Sequence, residues 1–503
     1  MNLPKSLAAT LSVAAILGVT ANGAMAQGKY AADVPESITT PDVVETQSLG
    51  TLGFFDGMPD EATLTKVYDN LDLVRGTTAF LDGIPIASMA ALITGLKNAG
   101  IKSNDVGISE TLIDARSLLL TPNTTIIYVL SPLDLSDGPV VINAPPAMLG
   151  FIDDAAFTYV TDIGIAGPDQ GKGGKFLVLP PGYDGDVPDG YFVTQSDTYA
   201  NWLILRAPVK NGDTETPVKA VKSVLKIYPL AQADNPPEEV FTNLSGNKFN
   251  TVHANNFEFF NEINAVIQAE PSSAFTPQML GNLASIGIKK GKPFAPDARM
   301  KAILTEAAAI GNATARALSF NPRNKNVFFY EDRKWNSPFV GLSHVFLNEG
   351  ERVLDDRTFF HYFATGITPA MTKPAVGKGS VYAASALDST GAYLDGSKTY
   401  SVTLPGPVPA ANFWSFMIYS GQTRSILETD QKSGGVDSTS PDIKANDDGS
   451  YTVWFGPKAP EGREGNWVQT LPGKSFNVLL RLYGPLEPWF DKTWRPGDFV
   501  LAE

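Results

Sequence analysis

The chain has no cysteine in 503 residues. Disulfide staples, thiolate nucleophiles and thiolate-bound metals or cofactors are thereby excluded, and stability has to come from packing. Histidine is nearly as scarce. Only His253, His344 and His361 are present. They show no His-Glu-x-x-His or His-x-His spacing, so a three-histidine metal site would need all of them to converge. Positive charge is short as well: 39 Lys and Arg against 53 Asp and Glu leave a formal net charge of −14. With no Lys/Arg-rich stripe to offset it, a chain this acidic repels phosphate backbones, which excludes nucleic acid as a partner. Motifs for nucleophilic or nucleotide chemistry are missing too. Gly341-Leu342-Ser343-His344-Val345 lacks the closing Gly of a nucleophile elbow, and Ser223-Val224-Leu225-Lys226 has no Lys-Thr-Gly downstream. In residues 167–174, Lys172 is followed by Gly and then by strand-like sequence, so no nucleotide-cofactor motif is formed. Asp184, Asp186 and Asp189 crowd into one loop but miss the spacing of a calcium loop, and no set of metal ligands stands out.

What is present begins with a secretory pattern. Lys5, an apolar run over residues 7–20 and Ala24-Met25-Ala26 before Gln27 predict a signal peptide cleaved near Ala26. The expected product is periplasmic or secreted. No later stretch approaches the roughly 20 uninterrupted apolar residues that span a bilayer, so no transmembrane anchor is expected after cleavage. A composition of 43% hydrophobic and 18% charged residues is that of an ordinary globular protein, and the length argues for two or three domains.

Periodicity divides the rest. Residues 27–60 read as an extended arm. Residues 61–230 read as a β module led by two helices, one from Glu61 and one over 86–97, with strands expected at 125–130, 140–142, 156–160, 175–179, 190–193 and 200–206. Residues 231–380 form a helical connecting region, with helices at 252–267, 296–318 and 355–365. Residues 381–503 alternate apolar and polar positions between Gly/Asp/Asn turns and read as a C-terminal β-sandwich. The fold class is therefore mainly β with a helical middle segment (α+β), built on two antiparallel sandwich or jelly-roll-like modules.

Two arginines are the least ordinary residues. Arg206 in WLILRAPV and Arg481 in NVLLRLYGP sit in otherwise apolar strands, where an unpaired guanidinium is costly to bury and must meet a carboxylate, a carbonyl or a ligand. Trp414, Tyr419 and Trp467 could stack on sugar rings or fill a sandwich core.

Several motifs also carry a family resemblance. Asp388-x-x-Gly391, Leu394-Asp395-Gly396, Phe413-Trp414-Ser415, Tyr419, Asp448-Gly449-Ser450, Asn466-Trp467 and Leu480-Arg481-Leu482-Tyr483-Gly484-Pro485 resemble the domain of unknown function 1214. Upstream, Phe80-Leu81-Asp82-Gly83-Ile84-Pro85, Thr121-Pro122-Asn123 with Tyr128, Leu133-Asp134-Leu135-Ser136-Asp137-Gly138-Pro139 and Trp202 with Arg206 resemble the domain of unknown function 1254. The resemblance implies a bacterial envelope protein of two β-rich modules joined through helices, and it brings no settled activity. In one place the chain departs from it: the Asn-Asp-Thr run of the upstream family reads Asn123-Thr124-Thr125 here.

Two functional readings follow. In the first, Tyr128, Trp202, Arg206, Trp414, Tyr419, Trp467 and Arg481 line a groove between the β modules that binds a small molecule or glycan. In the second, the protein is a periplasmic hydrolase or lyase that pairs His253, His344 or His361 with a carboxylate, with or without a metal. Cofactors and homo-oligomerisation are left open by the sequence.

Overall fold

The computed structural model describes residues 34–210 and 212–502; the expected signal peptide lies outside them. Residues 34–68 belong to a unit of their own. Within it Val43–Thr46, Gly50–Phe55 and Met58–Pro59 pair as an antiparallel meander, where the sequence suggested an extended arm. Asp56-Gly57 makes the second turn with both φ values positive, the two-residue geometry that suits Asp-Gly.

Among the described residues the longer helices are α1 (Glu61–Asn98), α2 (Glu215–Val224), α3 (Glu258–Ala269), α4 (Pro277–Ser285), α5 (Ala298–Phe320) and α6 (Leu354–Phe363). Gly83 and Pro85 suggested a break between two helices, yet α1 runs unbroken through Pro85. Proline there removes one backbone hydrogen bond. The residues around it, Phe80, Ile84, Ile86 and Ala87, are at most 1% exposed and pack on α3 and α5, and that burial outweighs the local cost. By length and composition α1 could cross a membrane, but most of its apolar stretch is buried inside the protein. At α5 the Asp297 side chain accepts from the Met300 N–H at 2.8 Å and caps the helix start.

The upstream β module is two facing sheets. A six-stranded sheet runs Phe241–Asn243, Val106–Ile108, Ile126–Asp134, Ala200–Pro208, Leu149–Asp154, Tyr159–Gly164, and a four-stranded sheet runs Phe192–Gln195, Gly174–Leu179, Val140–Ala144, Lys226–Pro229. Ile127, Val129, Leu203, Leu205 and Ile152 point from the first sheet into the core shared with the second and with Val218 and Val221 of α2. The strand placed by sequence at 156–160 starts later, at Tyr159, and Leu149–Asp154 was not foreseen because it closes on two aspartates, both of them buried.

The downstream module is likewise two four-stranded sheets, Ser380–Ser385, Phe476–Pro485, Ala410–Ser420, Gly435–Asp437 and Trp467–Gln469, Tyr451–Gly456, Tyr400–Leu404, Val500–Leu501. Trp414, Phe416, Ile418, Val478, Leu480 and Leu482 fill the core between them. Strand alternation then sends Met417, Tyr419, Leu479, Arg481 and Tyr483 to the opposite face. That face is also largely covered, which is why NVLLRLYGP reads as a nearly continuous apolar run.

The close packing of α1 yields a paired prediction. A Cβ on Gly95 would overlap the Asn250 carbonyl, whereas Gly281 on the exposed face of α4 meets open space. Gly95→Ala should lower the unfolding free energy by about 1–3 kcal/mol and Gly281→Ala should raise it by about 0.5–1 kcal/mol, as read by urea denaturation.

Candidate functional site

A cavity of about 550 Å³ lies where the six-stranded sheet of the upstream module faces the Ser380–Ser385/Phe476–Pro485/Ala410–Ser420 sheet of the downstream module. Register builds its walls. On one side Arg206 pairs with Tyr128 and Leu149, and Ile204 with Leu130 and Phe151; on the other Arg481 pairs with Tyr382, and Leu479 with Ala384. Helix α6 contributes Phe359, Phe360 and Phe363. Burial is graded along the walls. On the Ala200–Pro208 strand, Trp202 is 0% and Ile204 6% exposed, Arg206 is half-buried, and Pro208 is exposed with Lys210 beyond it. The cavity thus has a closed aromatic end, a level carrying both arginines, and an open mouth.

Arg481 is 3% exposed. Its Nη2 donates to the Thr121 carbonyl at 3.0 Å and to Tyr419 Oη at 2.7 Å, and Tyr419 in turn donates to the Pro122 carbonyl at 2.6 Å. Its Nη1 is buried without a partner. The TPN loop holds this arrangement in place: the Asn123 N–H donates to Tyr128 Oη at 2.9 Å and the Asn123 side chain bonds Tyr483 Oη. Arg206 Nε donates to the Leu149 carbonyl at 3.3 Å. Among the described residues neither guanidinium is within 4.0 Å of a carboxylate.

The phenols register these charges. Burial works to push the Tyr382 hydroxyl up, but Arg206 and Arg481 beside it prevail and hold it below the usual phenol range. Burial pushes Tyr419 up to about 12 despite Arg481. The carboxyl that feels Arg206, Asp162, is itself raised by burial, which weakens it as a counter-charge.

Of the residues expected at a ligand site, Tyr128, Trp202, Arg206 and Arg481 line the cavity and Tyr419 braces it from behind. Trp414 points into the downstream core, edge-on to Tyr451 and Phe416. Trp467 lies on the far sheet with its indole N–H on the Gly456 carbonyl at 2.9 Å. The three histidines neither converge nor reach the cavity. Burial, seconded by Arg424, drives His253 down to about 3, and burial with Arg357 does the same to His361. His344 packs edge-on to Tyr159 at 5.7 Å and is lowered by burial and Lys373. Among the described residues no three His, Asp or Glu side chains cluster as metal ligands. Tyr382 and the α6 phenylalanines are not marked as site residues by the sequence, and Tyr483 figures there only within the family motif; the alternation in SVYAAS marks a strand but not which face meets another module.

This architecture defines a class, two-module β proteins with a ligand-sized cavity between the modules. Residues 103–229 match the family described as protein of unknown function DUF1254, and residues 379–487 match protein of unknown function DUF1214. The chain carries the two domains in that order, as the motif resemblance implied. Among solved structures it is similar to the VPA0106 protein from Vibrio parahaemolyticus, 18% identical with a TM-score of 0.53 over 86% of this chain and 100% of that one, a likeness of fold. An uncharacterized protein from Burkholderia cenocepacia aligns at 14% identity and a TM-score of 0.39 over 87% and 96% of the two chains. No curated protein matches.

The buried imidazoles set a pH dependence. With a folded-state value near 3 against an ordinary 6.5, His361 refuses a proton that the unfolded chain accepts, so its stabilisation is present above about 6.5 and lost as pH falls toward 3. His361→Gln keeps a donor for the Arg357 carbonyl. Urea titrations at pH 7 and pH 4.5 should show wild type losing about 2–3 kcal/mol more than the variant; parallel losses would refute the assignment.

Proposed function

We propose that this protein binds a small, largely apolar molecule in the cavity between its two β modules without turning it over, and that it does so outside the cytoplasm after signal removal. One observation carries the reading: the cavity falls within the ~300–1,000 Å³ typical of small-molecule sites and is walled by Phe, Leu, Ile and Trp with a few convergent polar groups. The glycan reading draws no support from Trp414 and Trp467, whose rings are engaged elsewhere. A hydrolase or lyase using histidine would need an imidazole beside a carboxylate at the cavity, and His253, His344 and His361 lie apart from it.

A neutral, environment-sensitive dye such as Nile red tests the reading. Folded wild type should bind it saturably at one site. Ala384→Phe, which puts a ring into the cavity from its wall, should weaken binding by about tenfold or more, the scale of one lost apolar contact set, with an unchanged circular dichroism spectrum. Absence of saturable binding by folded wild type would overturn the proposal.

A further inference from the structure

We infer that the ligand is a single-chain amphiphile with an anionic headgroup, seated tail-first with the headgroup at Arg206 and Arg481. The inference rests on the cavity being a ligand site and goes further in naming the chemical class. The first observation behind it is Arg481, a buried guanidinium whose Nη1 has no partner while its Nη2 is fully engaged by the protein. Arginine cannot relieve burial by losing its proton, so an unpartnered guanidinium N–H on a residue that lines the cavity favours an acceptor that bears charge. The second is that Arg206 lines the same cavity from the opposite module, and among the described residues no carboxylate lies within 4.0 Å of either guanidinium. An anion seated between them meets both guanidiniums and links the modules.

Graded burial supplies the orientation. Beyond the arginines lie Trp202, Phe151, Leu130 and Phe360, an apolar end where the unpartnered polar atom of these four, Trp202 Nε1, is a neutral donor without charge to offer an anionic head. On the other side the walls open past Pro208 to the exposed Lys210, which adds positive charge at the mouth of an otherwise acidic protein. A carboxylate or phosphate at the arginine level with its chain running inward satisfies both regions at once. A cationic amphiphile would meet like charge, and a neutral hydroxyl would accept from Nη1 without the added strength of a charge-assisted bond.

Displacement of Nile red by dodecanoate, dodecyl phosphate, dodecanol and dodecyltrimethylammonium, each below its micellar concentration, tests the inference. Both anions should displace the dye at concentrations about 10–100-fold lower than dodecanol, the scale of one or two charge-assisted hydrogen bonds, and the cation should displace least. The relative strength of the two anions separates carboxylate from phosphate. Arg481→Met should abolish the preference and leave dodecanol within about threefold of wild type; Arg206→Met, at a half-buried position, provides the same test if the first variant does not fold. Equal displacement by dodecanol and dodecanoate in wild type would overturn the inference and leave the apolar-site reading standing. Failure of every compound and of the dye to bind would overturn both.

Discussion

The constraint on which the structure turns is that a guanidinium cannot discard its charge. Other ionisable groups in this interior escape burial by becoming neutral: burial pushes Asp154, Glu239 and Glu262 up to about 7 and drives His253 and His361 down to about 3. Arginine has no such exit at neutral pH and must be met by contacts. Arg424, away from the cavity, is met only in part, since its Nε and Nη2 are buried without a partner. It is 0% exposed, its guanidinium stacks 3.8 Å above the Tyr362 ring, and its Nη1 donates to the Tyr362 carbonyl at 2.8 Å and faces the neutral ring of His253. Arg481 differs in lining the cavity, with one backbone carbonyl and a phenol bonded to its Nη2.

That difference follows from where the two modules meet. In each, the central strands are covered on both faces: one face fills a sandwich core, the other faces the partner module or α6. Such double coverage gives apolar runs in which a single charged residue stands out. The helical region between the modules contributes its aromatic face to the same space, so residues far apart in the chain, from Thr121 to Tyr483, converge on one site.

How much of this could be read from the chain depended on what kind of signal each residue carried. Arg206 and Arg481 were conspicuous because charge within WLILRAPV and NVLLRLYGP violates the local composition. Period-2 alternation located the strands but could not assign faces, since both faces are buried; Trp414 and Phe413 are neighbours in sequence, yet one fills the sandwich core and the other borders the cavity. The continuous α1 defied its own Gly83 and Pro85 because tertiary burial exceeded the local cost, a quantity that propensity does not contain. Histidine invited a catalytic role by rarity alone, and its positions are set by packing against Phe157, Phe259 and Tyr159. The Tyr382 and Tyr483 phenols acquire meaning only from the cross-strand partner that register assigns them.

The most direct test is a crystal structure of the protein with 12-bromododecanoate, with the bromine located by anomalous scattering. The account predicts one bromine peak at the closed end among Trp202, Phe151 and Phe360, with carboxylate density between Arg206 and Arg481. A bromine peak at the mouth near Lys210, or carboxylate density away from both arginines, would contradict it.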